Sequence, residues 1–183
     1  MRYAITVLGA VLLAATFAFV GVSVVGPTDS EAATEGGYVA TCGGGSLYLN
    51  APERRTLGLH NQARASRGLG PLCVDPTLTR AARAHAREMM DRDYLSHNSA
   101  NGETHDARLR RFGYARPAGE NISWGGGSYG SPESRFGFWM SSPPHRANVL
   151  HRGWGEVGVG VAVGTFKGYG NAATYTVNFG TRR

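Results

Sequence analysis

The apolar and polar positions along the chain fall into successive patterns. After Met1-Arg2-Tyr3, residues 4–25 form an almost unbroken apolar run, followed by small and acidic residues. Residues 33–49 are rich in glycine and have no helical period, which predicts a linker or arm. Asn50-Ala51-Pro52-Glu53 then has the form of a helix start: an Asn cap, proline in the first turn and an acid at the third position. This helix carries Leu57, His60, Asn61 and Arg64 and stops at Gly68. Asp75-Pro76-Thr77-Leu78 opens a second helix, in which Leu78, Ala81, Ala82, His85 and Met89 recur at three- and four-residue steps. That spacing gives one apolar, core-facing side.

A short basic helix is predicted from about His105 to Phe112, closed by Gly113. Glu120 to Trp124 reads as a short strand emptying into a glycine run, and Ser131-Pro132-Glu133 caps a fourth helix that ends within Trp139–Leu150. There Pro143-Pro144 predicts a stiff corner that holds His145 in a loop just beyond the helix. The tail is β. Val157–Val163 forms one strand, and in the next Ala173, Tyr175, Val177 and Phe179 alternate with Thr174, Thr176 and Asn178. Strict alternation predicts one buried face and one polar face. Helices first and an antiparallel hairpin last give an α+β class in layers, with no repeat and no second domain.

The first segment stands apart from this core. Residues 1–32 read as a signal peptide, with Ser30-Glu31-Ala32 offering small residues where a signal peptidase reads. The run is also long enough for an N-terminal membrane anchor, and in both cases the remaining chain lies outside the membrane. An exported chain with an even cysteine count favours a disulfide, here Cys42 with Cys73. The formal net charge of +6, supplied mostly by arginine, suits association with anionic surfaces without specificity.

Among six histidines, His85 lies on an apolar helix face and reads as a core residue, while His60 and His105 sit inside helices. His97 and His145 are placed in loops after helices, where rigid scaffolds present chemistry. Glu120, at the start of a strand, is the acid expected to turn inward. Two imidazoles and a carboxylate suit Zn or another divalent metal, although no HExxH pattern or close Cys/His spacing is present. Gly126-Gly127-Ser128-Tyr129-Gly130 matches a nucleophile elbow in letters only, because no Asp follows Ser128, and it reads as a flexible loop. No phosphate-binding glycine loop and no aromatic stacking pattern for a specific nucleic acid is present.

His97, Gly119-Glu120-Asn121-Ile122, Trp139–Leu150 and Val157-Gly158-Val159-Gly160 occur in an order that resembles the CAP superfamily (cysteine-rich secretory, antigen 5 and pathogenesis-related proteins), and most of all its bacterial SCP-like branch. Leu59–Arg64 followed by Pro71-Leu72 is similar to that family's opening helix and turn. The resemblance implies a three-layer α-β-α sandwich with a small antiparallel sheet, occupying residues 50–183. It implies a cleft with His97, Glu120 and His145, where His97 and His145 are the metal-ligand candidates and Glu120 the candidate base. The family's second acid is replaced by Ser141 or Ser142, so a second acid/base would have to come from Glu133 or Glu156. The expectation is a secreted, monomeric protein binding an extracellular ligand, either a lipid or a cell-wall component. A metal-dependent hydrolase (peptidase or nuclease) and a structural envelope protein are the alternatives, and catalysis is left open.

Overall fold

The computed structural model describes residues 35–182, so the expected signal or anchor lies outside the described residues. The glycine-rich arm is not a linker. It folds as a hairpin of β1 (Gly37–Ala40) and β2 (Ser46–Leu49), turned by Gly44 and Gly45 at positive φ. Periodicity missed it because the strands are only four residues long. The hairpin is tied to the body by the Cys42–Cys73 disulfide, by Cys42 N–H donating to Val74 O, and by buried Leu49.

Helix α1 (Ala51–Ala65) opens with the predicted capping box, Asn50 and Glu53 each accepting from the other's backbone N–H. Strand β3 (Cys73–Val74) leads into α2 (Pro76–Asp91), capped by Asp75. Helix α3 (His105–Phe112) ends on Gly113 in the left-handed region. After β4 (Ala118–Gly126), Gly127–Gly130 make a turn of 3-10 helix, not a flexible loop, with the Tyr175 hydroxyl donating to Gly130 O at 2.7 Å. Helices α4 (Pro132–Ser141) and α5 (Pro143–Val149) precede β5 (Trp154–Phe166) and β6 (Tyr169–Thr181).

The sheet runs β3-β5-β6-β4, antiparallel except where β3 pairs parallel to β5. On one face Val157, Val159, Tyr175, Val177 and Phe179 pack with Trp139 and Val149 of α4 and α5. The opposite face is buried too, which corrects the expectation of a polar face turned outward: Thr174, Thr176 and Asn178 are fully buried. Helix α2 lies directly on them, and its carbonyls accept from two of the three, Thr174 donating to Ala86 O and Asn178 to Leu78 O. Such close approach requires Gly158 and Gly160 on β5, where an added Cβ would press into the backbone of Leu78–Thr79 and of Ala82–Arg83. The result is the α-β-α sandwich, with β4 as the edge strand that carries the candidate site.

Candidate functional site

Glu120 sits on β4 opposite Asn178 of β6, and its side chain is 2% exposed. Both of its carboxylate oxygens are occupied. Arg108 of α3 donates from Nη2 to Oε2 at 2.6 Å, and His97 Nδ1 lies 2.7 Å from Oε1. Arg108 also donates to His97 O and to the Ser99 hydroxyl, so one guanidinium fixes both the carboxylate and the loop that presents the imidazole. Burial pushes the Glu120 carboxyl upward, but the His97 hydrogen bond and the Arg108 charge outweigh it and hold the pKa below the usual carboxylate value. An ionised Glu120 accepts from His97 Nδ1–H and leaves Nε2 outside that bond on a ring that is 54% exposed.

His145 is not in a loop. Ser142 interrupts the fourth predicted helix, and Pro143-Pro144 start α5, because proline is preorganised for a helix's first turn and needs no donor there. The Ser142 hydroxyl meets His145 Nδ1 at 2.8 Å, a neutral partner where Glu120 gives His97 a charged one. Burial, with the charge of His97 as the second cause, lowers the His145 pKa. Side-chain amides lace α5 to β4: Asn121 donates to His145 O, and Asn148 donates to Glu120 O and to Asn121 Oδ1. Phe138, exposed on α4, has its ring centroid 5.5 Å from that of His145.

Glu120 thus touches His97 directly, and α5, which carries His145, is tied to the next residue of β4 through Asn121. Glu133 pairs with Arg55, and Glu156 is buried against Arg116 and Tyr114, so both candidates for a second acid are committed elsewhere. His85 is the predicted core residue, its Nε2–H donating to Ser96 O at 2.8 Å. His60 is also core, its ring packed among Phe136, Trp139 and Phe179. Arg108 was missed because α3 reads as a basic surface helix. Its four-residue spacing from Phe112, which puts the two on one helix face, was the available signal.

Among the described residues no group of three His, Cys, Asp or Glu side chains is placed to hold a metal ion. With Glu120 engaged by Arg108 and His97, a divalent ion here would have to be held by the imidazoles of His97 and His145, with Glu120 supporting His97 from behind.

A family model described as CAP, the cysteine-rich secretory protein family, matches residues 57–179. The uncharacterized protein YkwD of Bacillus subtilis (strain 168) is 35% identical over 113 residues, 61% of this chain and 43% of that protein. Among solved structures, an extracellular protein containing an SCP domain from Bacillus anthracis str. Ames superposes with a TM-score of 0.59 at 25% identity, covering 76% of this chain and 47% of that one. An outer surface protein from Borrelia burgdorferi gives 0.60 at 19% identity over 69% of this chain and 90% of that one, a likeness of fold alone. The chain therefore spans less than half the length of the Bacillus relatives.

Proposed function

The chain belongs to the CAP family, and on that premise we propose that it is an extracytoplasmic binding module whose His97–His145 edge receives a lipid or cell-envelope component. The observation that carries this reading is the double engagement of Glu120 by Arg108 and His97. A buried carboxylate that already accepts from a guanidinium and an imidazole is better placed to orient His97 than to act as the free general base that hydrolysis would ask of it. What remains for a ligand is two imidazole Nε2 atoms, one oriented by a carboxylate and one by a hydroxyl, beside the exposed Phe138 ring. That combination suits hydrogen bonding to a polar group next to an apolar or sugar-like face. Among the described residues no helix is long and apolar enough to cross a membrane. Export rests on the sequence of residues 1–32.

The metal-dependent hydrolase has one observation in its favour: a carboxylate behind Nδ1 is the arrangement that orients histidines toward metal ions. In that reading His97 and His145 hold the ion, which would polarise a substrate oxygen, and Glu120 orients His97 instead of acting as base. Metal analysis of purified protein, followed by lipid binding and peptide and nucleic-acid turnover with wild type, His97→Ala and His145→Ala, separates the two. Saturable binding indifferent to chelator, weakened in both variants and without product, supports the binding module. Metal-dependent turnover abolished in both variants overturns it.

A further inference from the structure

Past the C-terminal end of α5, a cavity of about 250 Å³ is bounded by the Gly70-Pro71 loop and by Arg152–Gly155, where the chain enters β5. Arg64, Arg152 and Arg182 all line it, and no acidic residue does. We propose that this cavity is an oxyanion site, taking a phosphate-ester group.

Arg64 makes it a built site. It is 2% exposed yet has no carboxylate partner; its guanidinium donates instead to four carbonyls, those of Gly70, Val149, His151 and Trp154. Four of its five N–H groups are so used, and these bonds shape the turn that forms the cavity wall. A buried cation neutralised only by carbonyl dipoles keeps its full charge at the wall, and a low-dielectric surrounding strengthens its field. Arg152 and Arg182 are exposed, and neither lies within ion-pair distance of an acid among the described residues. Arg182 also borders a second cavity with Asp75 and Glu156, but Glu156 is held by Arg116 and Tyr114, and Asp75 caps α2. Two free guanidiniums facing an immobile third suit a group with several equivalent oxygens, which planar forks bind bidentately. The volume is smaller than that of ordinary ligand pockets and fits one small anion, not a whole lipid or sugar. Neither His97 nor His145 forms part of its wall, so the site stands or falls apart from the function proposed above.

The test titrates the full chain with inorganic phosphate and follows backbone amide NMR signals. Saturable shifts confined to Gly70, Gly153 and Gly155 are expected, with affinity at least tenfold weaker in Arg152→Ala/Arg182→Ala, largely restored by the double Lys variant and unchanged in Arg87→Ala. A soluble poly(glycerol phosphate) and vesicles of phosphatidylglycerol against phosphatidylcholine then distinguish the two sources of the group. Binding of either that is lost in the double Ala variant supports the site and names its source. Unsaturable shifts spread over the surface, shifts unaffected by the double variant, or no binding of either phosphate-bearing probe overturns it.

Discussion

Arg108 and Glu120 form an ion pair at 2.6 Å with both side chains almost wholly removed from solvent, at 1% and 2% exposure. Neither group would tolerate that burial alone. The same guanidinium holds the His97 carbonyl, so the pair joins α3, β4 and the loop before α3 into one rigid support for an imidazole.

Arg108→Ala is therefore expected to cost about 3–5 kcal/mol, because it strands a buried carboxylate. Pairing it with Glu120→Gln should recover part of that loss, since the amide carries no charge to leave uncompensated. Chemical denaturation of the two single variants and the double variant measures the coupling. Additive losses would show that the pair does not act as a unit.

Gly158 and Gly160 test the layer contact. Gly158→Ala should destabilise by roughly 3 kcal/mol or more, because the new methyl meets main chain of α2 and no flexible side chain can yield. Gly58→Ala, within α1 and facing open space, should instead stabilise by up to about 1 kcal/mol. Thermal unfolding of both variants should give shifts of opposite sign.

The disulfide closes a loop of 31 residues that contains β2 and the whole of α1, with β1 just before it. Replacing both cysteines by serine should lower stability by about 3–4 kcal/mol on the chain-entropy account. Hydrogen exchange should accelerate first at Tyr38 and Tyr48, whose exposed rings pair across the hairpin and add little anchorage of their own.

His60 supplies a pH dependence. Burial in the aromatic cluster lowers its pKa to about 4, despite the Thr56 carbonyl at Nδ1. The unfolded chain, with an ordinary histidine pKa of about 6.5, binds the proton more readily, so stability is full above about 6.5 and declines as pH falls toward 4. The loss is on the order of 3 kcal/mol for this residue. His85, His105 and His145, whose pKa values are also lowered mainly by burial, act in the same direction. His60→Leu should flatten the slope of denaturation midpoint against pH, even if it lowers the midpoint at neutrality.

Capped starts made α1, α2 and α4 legible in the sequence, because Asn50, Asp75 and Ser131 each answer a local need of the backbone beside them. The burial of Tyr175, Val177 and Phe179 was legible for the same kind of reason, a two-residue period. The fate of Thr174, Thr176 and Asn178 was not, because it depends on how closely α2 approaches, which two glycines on a different strand decide. At the candidate site, His97, Glu120 and His145 were singled out by their places beside loops and a strand start and by the family resemblance. That Glu120 is clamped and not free rests on Arg108, whose inward turn is a matter of helix placement in three dimensions.

Side-chain nitrogen NMR of the histidines, recorded on the full chain while soluble peptidoglycan fragments and a short-chain phospholipid are added in turn, tests the proposed function most directly. The free protein should show His97 as the Nδ1–H tautomer, held so by Glu120, and one of the two probes should shift the Nε2 signals of His97 and His145 together, saturably and without product. His97 in the opposite tautomer, no response of either histidine to either probe, or turnover of a probe would contradict the binding module.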